Sequence, residues 1–165
     1  MFRTRNTLSD NARAKSVSVL NHNLAAAIDL RAQAKQAHWT VRGSDFIAVH
    51  ELFDRVATEV TDYADLLAER ASGLGGVAEG TVQTVAKETF LKPYPLRVGD
   101  CPSHIRAVAD VLASFGTSVR EAIEQTQGWG DADTADIFTE ISRGTDQLLW
   151  LVESHLEPVP EGGKR

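Results

Sequence analysis

The stretch Phe46–Gly73, FIAVHELFDRVATEVTDYADLLAERASG, decides how this chain is read. It holds no proline, its one glycine is its last residue, and Val49, Leu52, Phe53, Val56, Val60, Tyr63 and Leu67 recur at the three- and four-residue steps of an amphipathic helix. On a wheel turning about 100° per residue from His50, those apolar positions centre near about 260°. His50, Asp54, Asp65 and Glu69 fall at about 0°, 40°, 60° and 100° on the same wheel. The helix therefore carries an imidazole and three carboxylates on one stripe, roughly opposite the face it buries in its own bundle.

Working outward, Gly43 and Ser44 separate this helix from the segment before it, Asp45 is placed to cap it, and Gly75-Gly76 stop it. Asn11 to about Arg42 contains neither Gly nor Pro, and Val17, Leu20, Leu24, Ala27, Leu30 and Ala34 give it a helical period. Residues 74–100, with Pro93, Pro95 and Gly99, read as a long connection with a short helix around Val82–Lys87. Asp100 or Cys101 caps a third long helix with Pro102 in its first turn, ending near Gly128. Gly128-Trp129-Gly130 is a turn, Asp131 or Asp133 caps the fourth helix, and Pro158 ends it after Leu156-Glu157. No strand-period segment or internal repeat is found. The expected fold is all-α: a ferritin-like four-helix bundle with a long crossover between helices two and three. The expected domain limits are a flexible tail at 1–10, the bundle at 11–157 and a second flexible tail at 158–165.

With 165 residues and 42% apolar content, the chain suits one domain with one core. No apolar run approaches the roughly 20 residues of a membrane span, and Met1-Phe2-Arg3-Thr4-Arg5 lacks the apolar core of a secretion signal, so a cytoplasmic protein with no membrane partner is expected. The lone Cys101 cannot form an internal disulfide, nor can it supply a zinc site built from several thiolates. The net charge of -6 opposes nucleic-acid binding over most of the surface, because such affinity rests on neutralised phosphates. The exceptions are terminal: Arg3, Arg5, Arg13 and Lys15 against Asp10, and Lys164-Arg165 at the other end. These are DNA-contact candidates; solvated termini are the plainer reading.

The chemistry lies on the stripe. His50/Asp54 and Asp65/Glu69 are each four residues apart, one turn up the same face, but their midpoints are 15 residues apart, about 22 Å of helix. They cannot share one ion. A diiron site inside one bundle would need Glu-x-x-His motifs pointing inward, and the chain has none. If a second copy packs antiparallel about a two-fold axis near Glu59 and Val60, each His50/Asp54 pair meets its partner's Asp65/Glu69 pair. Ala57, Thr58 and Thr61 lie between the half-sites, where small side chains let two backbones approach, and His38 can add a nitrogen from the end of the first helix. Two imidazoles and three carboxylates suit iron(II) better than a closed structural zinc site. A single His-x-x-x-Asp on an acidic helix is usually a solvated pair; the spacing of the whole set is what favours metal. Glu51 beside His50 does not make a zinc-protease helix, because Asp54 stands where the second histidine would be.

The strings Lys35-Gln36-Ala37-His38-Trp39-Thr40-Val41-Arg42-Gly43, Phe46-Ile47-Ala48-Val49-His50-Glu51, Asp54 and Asp65-Leu66-Leu67-Ala68-Glu69-Arg70 closely resemble the signature of the Dps family, the mini-ferritins of starved cells. The resemblance continues through Gly75-Gly76, Tyr94-Pro95-Leu96, Asp133-Thr134-Ala135-Asp136 and Leu149-Trp150. It implies a hollow dodecamer that oxidises iron(II), preferably with hydrogen peroxide, and stores ferric mineral. It also implies a ferroxidase centre of two irons at each two-fold interface, with His38, His50 and Asp54 from one subunit and Asp65 and Glu69 from its partner. Trp39 and Trp150 match aromatics beside that centre, with core packing as the open alternative. Asp131, Asp136 and Glu140 match an acidic iron-entry pore on three-fold axes; Asp131 is equally a helix cap and Glu140 a solvated charge.

DNA binding is expected to be weak: the N-terminus is short and carries arginines and one lysine where DNA-binding members use a lysine-rich tail, and twelve copies at -6 carry about -72. The alternative function is a nucleoid-compacting DNA-binding protein with secondary metal binding, and nucleoid association is left open. No haem is expected, since Met1 is the only methionine available as an axial ligand. His22, His104 and His155 read as surface or packing residues, and Asp62 lies near Glu69 on the wheel.

Overall fold

The computed structural model describes residues 1–156 and contains five helices: α1 (Asp10–Thr40), α2 (Phe46–Gly73), α3 (Val82–Glu88), α4 (Cys101–Gly128) and α5 (Ala132–Glu153). The four long helices and the short one in the crossover lie where the sequence places them, and no strand occurs among the described residues. Helix ends follow their caps: Ser9 accepts from the Ala12 amide at 3.2 Å, Asp100 from Ser103 at 2.9 Å and Asp131 from Thr134 at 3.2 Å. Asp45 departs from expectation. Its φ of -96° and ψ of 17° are not those of an extended cap, it makes no capping bond, and its carboxylate accepts from the Ser44 hydroxyl instead. α5 also ends earlier than expected, at Glu153, with a turn through Leu156; Pro158 and the C-terminal tail lie outside the described residues.

α1 and α2 form one antiparallel hairpin: Arg13 reaches the Leu74 carbonyl at one end while His38 meets His50 at the other. α4 and α5 form the second, tied on the surface by Arg120 and Asp146 at 2.7 Å. Gln33 shares a small cavity with Ala107 and Asp110, and Ser18 shares one with Ala122, so α1 and α4 are antiparallel and α2 and α4 run the same way. The chain must therefore return along the whole bundle between α2 and α4, which is why the crossover is long. Asn21 clips that crossover to α1, donating to the Val77 carbonyl and accepting from the Glu79 amide. At the α2 exit, a Cβ on Gly76 would lie 2.5 Å from Val17 and 2.9 Å from the Ala71 carbonyl, so only glycine lets the turn sit against α1.

Val49, Phe53, Val56, Val60 and Leu67 of α2 are fully buried and meet Phe115 of α4 and Phe138 of α5 in one core. α1 is central, touching α2, α3 and α4, so Ala25, Ala26 and Ala27 are buried in succession. Alanine is the residue that permits close approach on several sides of one helix. With the core on one side of α2, its His/Asp/Glu stripe faces outward.

Candidate metal centre on the outer face

The end of α1 and the start of α2 bring His38 and His50 together, with ring centroids 3.7 Å apart and planes inclined by 20°. The pair is reciprocal: His38 Nδ1 donates to the His50 carbonyl and His50 Nδ1 donates to the His38 carbonyl, each at 2.8 Å. A carbonyl can only accept, so each Nδ1 carries the hydrogen, and each neutral ring keeps its lone pair on Nε2. That is how a protein fixes the tautomer of a metal-ligating histidine. Phe46 packs at 5.0 Å from His50 and forms part of the wall.

Asp54 lies one turn beyond His50 and opens with His38, Glu51 and Glu59 onto a 550 Å³ cleft. Its Oδ1 accepts from Lys35 Nζ at 2.5 Å, and this ammonium holds the carboxyl below the usual aspartate range. Asp65 and Glu69 are exposed farther along the same face, and neither has an ion-pair partner among the described residues. Asp65 borders a groove with Leu24, Ile28 and Ala68. Each subunit thus carries a nitrogen-rich half-site and a carboxylate half-site about 22 Å apart along α2. Between them the surface differs from expectation. Ala57 is turned into the core at 3% exposure, while Arg31 donates to Thr61 at 3.1 Å and Arg55 to Glu59 at 2.7 Å, so arginine stems cover part of the stripe.

Two further placements are corrected, and for two tryptophans one of the open alternatives is closed. Asp131, a pore candidate, is 1% exposed and caps α5 while pairing with Arg70 Nη2 at 2.6 Å. Burial alone would push its carboxyl up, but the nearby Ser16 hydroxyl and the hydrogen bonds from Thr134 and Arg70 outweigh this and hold it low. Its role in the subunit is structural; Asp136 and Glu140 remain exposed, one turn apart on α5. Arg13, a DNA candidate, is buried, donating to the Leu74 carbonyl at 3.0 Å and to Asp10 at 2.6 Å. Trp39 and Trp150 are 68% and 64% exposed, so neither packs in the core of its own subunit.

Of the other DNA candidates, Arg3 and Arg5 are exposed, Lys15 lies over the Trp129 ring at 5.6 Å, and Lys164 and Arg165 fall outside the described residues. The first residues are engaged with the bundle: the Phe2 amide donates to the Gly75 carbonyl at 2.6 Å. His104 is a buried packing residue whose Nδ1 hydrogen-bonds the Tyr94 hydroxyl, and burial pushes its pKa down. His22 stacks on Phe90, and His155 is exposed. Lys35 was not flagged by sequence reasoning. Only the antiparallel register of α1 on α2 places it beside Asp54, although its position one turn before His38 is a signal of a kind.

The described helices include none long and apolar enough to cross a membrane. The model of the ferritin-like domain matches residues 17–161. A DNA protection during starvation protein from Agrobacterium fabrum is 41% identical over 155 residues, covering 94% of this chain and 96% of that one. Among solved structures, Dps of Mycobacterium smegmatis in a tetragonal form superposes with a TM-score of 0.91 at 29% identity, covering 99% of this chain and 98% of that one. Dps from Microbacterium arborescens in a high-iron form gives a TM-score of 0.84 at 32% identity, over 89% and 95% of the two chains. With its five-helix fold, its outward stripe of histidine and carboxylate side chains and these relatives, the chain belongs to the Dps family of ferritin-like proteins.

Proposed function

We propose that this chain is the subunit of a hollow dodecamer that oxidises iron(II), with hydrogen peroxide as the preferred oxidant, and holds the ferric product inside, protecting the cell and its DNA. The reciprocal His38/His50 pair carries this reading. Tying both Nδ1 atoms to backbone carbonyls joins the end of α1 to the start of α2 and, on an outward face, also presents two Nε2 lone pairs beside a carboxylate. The relative in a high-iron form supports iron as the substrate.

The chain's own groups have separable tasks. Nε2 of His38 and of His50, with Asp54, receives iron(II) from one subunit, and Asp65 and Glu69 of its two-fold partner complete the centre. Three carboxylates against two neutral imidazoles favour the more highly charged ferric product over the ferrous substrate. Two iron ions held in one centre supply both electrons to one peroxide: two Fe(II), one hydrogen peroxide and two protons give two Fe(III) and two waters, with no hydroxyl radical released. Asp136 and Glu140 draw cations toward the interior at an entry pore. The exposed Trp39 and Trp150 lie beside the centre, covered by neighbouring subunits in the shell.

Anaerobic iron(II) titration followed by peroxide tests this reading. Up to two iron(II) per subunit should bind and be oxidised at about two per peroxide; a protein in which His38→Ala plus His50→Ala leaves binding unchanged would refute it. The nucleoid-compacting alternative loses weight, because Arg13 is committed to the fold and the described N-terminus is engaged with the α2 turn. DNA contact rests on Arg3, Arg5 and Lys15, with Lys164 and Arg165, and is weak.

A further inference from the structure

The end of the crossover, between Lys92 and the cap of α4, is held by one side chain. Pro93 and Pro95 have no amide hydrogen to give, and among the described residues the stretch 93–99 makes a single hydrogen bond, between the Tyr94 hydroxyl and His104 Nδ1. The Thr40 hydroxyl lies near the phenol but donates to the Gln36 carbonyl. Farther back, the same connection is clipped to α1 by Asn21, by Asp29 accepting from Thr89, and by Gln33 donating to the Lys92 carbonyl at 3.1 Å. Tyr94 and its flanking prolines roof a 130 Å³ cavity whose other walls include Gln33, Ala107 and Val111. Gln33 is 5% exposed and its Oε1 has no partner, so water would satisfy this acceptor if the roof lifted. His104 is itself 3% exposed and forms no ion pair among the described residues. Asp100, the cap of its own helix, is the one charged group that acts on the ring; α1, α2 and α5 bring none, and Tyr94 is the titratable group in contact with it.

We propose that the Tyr94 and His104 pair is a proton-operated latch on the end of the crossover, closed while His104 is neutral and released when the ring takes up a proton. The neutral ring accepts the phenol hydrogen at Nδ1. A protonated ring has donors at both nitrogens and no acceptor, so the phenol must turn its own hydrogen elsewhere. The new charge also stands on the buried face that His104 shares with Val108, one turn along α4. Burial outweighs the attraction of the Asp100 carboxylate and pushes the pKa of the ring down, so the closed latch resists a proton that the open one takes readily. The closed state is therefore fully favoured above about pH 6.5, the value of a freely solvated imidazole, and loses its advantage as pH falls below it, until the closed ring titrates as well. The latch uses none of the metal-centre residues and does not depend on that reading.

Arg97 is exposed within the strap and followed by valine, which makes it a tryptic site; Lys92, followed by proline, is not one. Cleavage after Arg97 in the full-length protein, located by mass spectrometry and divided at each pH by cleavage of a synthetic peptide of the same sequence, follows the open fraction. From pH 7.5 to pH 5.5 the normalised rate should rise by up to about tenfold, the limit for a ring that titrates near 6.5 when open and stays neutral when closed. His104→Asn keeps an oxygen that accepts the phenol hydrogen but cannot titrate, and should be cleaved slowly at both pH values. Tyr94→Phe removes the bond and should be cleaved fast at both. A flat wild-type profile, or a rise that His104→Asn retains, would overturn the latch. If melting temperature shows that the asparagine variant folds poorly, Tyr94→Phe decides: a pH response that persists without the phenol hydroxyl would overturn it equally.

Discussion

If the metal centre is shared across a two-fold axis, two inactive subunits of the right kind restore each other. His38→Ala with His50→Ala removes both Nε2 donors of the nitrogen-rich half-site, and Asp65→Asn with Glu69→Gln removes the charges of the other. The structure gives the magnitude. The half-sites lie about 22 Å apart on one rigid helix, so no single centre can draw on both halves of one α2. In a mixed dimer, one interface joins the two damaged halves and the other joins the two intact ones, so one centre in two is whole. Random pairing makes half of the dimers mixed, and about a quarter of all centres should then function, provided that sites act independently. The assay is the initial rate of peroxide-dependent iron(II) oxidation by co-expressed shells, set against wild type at equal protein and against each parent. Native mass spectrometry establishes co-assembly, and parents purified separately and mixed afterwards should stay inactive. Verified mixed shells no more active than either parent would refute the shared centre.

The remaining predictions concern residues whose roles the structure separates. Arg70→Met should lower stability by about 3 kcal/mol in denaturant unfolding, because it leaves the Asp131 carboxylate buried without its ion-pair partner. Since the folded pKa of Asp131 is depressed, its stabilising contribution is full above the unfolded value near 4 and is lost as pH falls through the lower folded value; melting temperature should therefore drop below about pH 4 more steeply in wild type than in Asp131→Asn. Asp136→Asn should slow iron uptake at low iron without changing shell mass, and stopped-flow kinetics equal to wild type would remove it from the entry route. DNA retardation should be weak, fall steeply between low and physiological salt, and decrease on replacing Arg3, Arg5 and Lys15; Arg13→Ala should lower melting temperature and leave the DNA titration unchanged.

Much of this was legible in the residues themselves. The 3.6-residue period of α2 placed Val49, Phe53, Val56, Val60 and Leu67 in the core and His50, Asp54, Asp65 and Glu69 outside it, since side-chain direction along a helix follows from sequence spacing. Ser9 was not anticipated as the first cap, whereas Asp100 and Asp131 were, each as one of two alternatives, because a short acidic side chain before a helix can accept from the third amide beyond it; Asp45, equally placed by sequence, does not. Ala57 was placed on the stripe and proved to be core: it lies at the border of the two faces, where a few degrees of helix rotation decide burial.

What spacing within one helix determines, the sequence could state: the number and order of long helices, the separation of the His50/Asp54 and Asp65/Glu69 pairs, and, on the proposed reading, the need for a second chain to join them. What depends on the register between helices became visible only in the folded subunit. Lys35 and Asp54 are 19 residues apart, Arg70 and Asp131 are 61 apart, and His38 and His50 exchange hydrogen bonds across 12. Each pairing follows from how far α1 slides along α2, or from how closely the α5 start approaches the end of α2, and these are set by the summed packing of many apolar side chains in the core. No local pattern encodes that sum. Tertiary structure therefore turned Asp131 from a pore candidate into a buried cap, took Arg13 away from the surface, and gave the outward histidines their fixed tautomer.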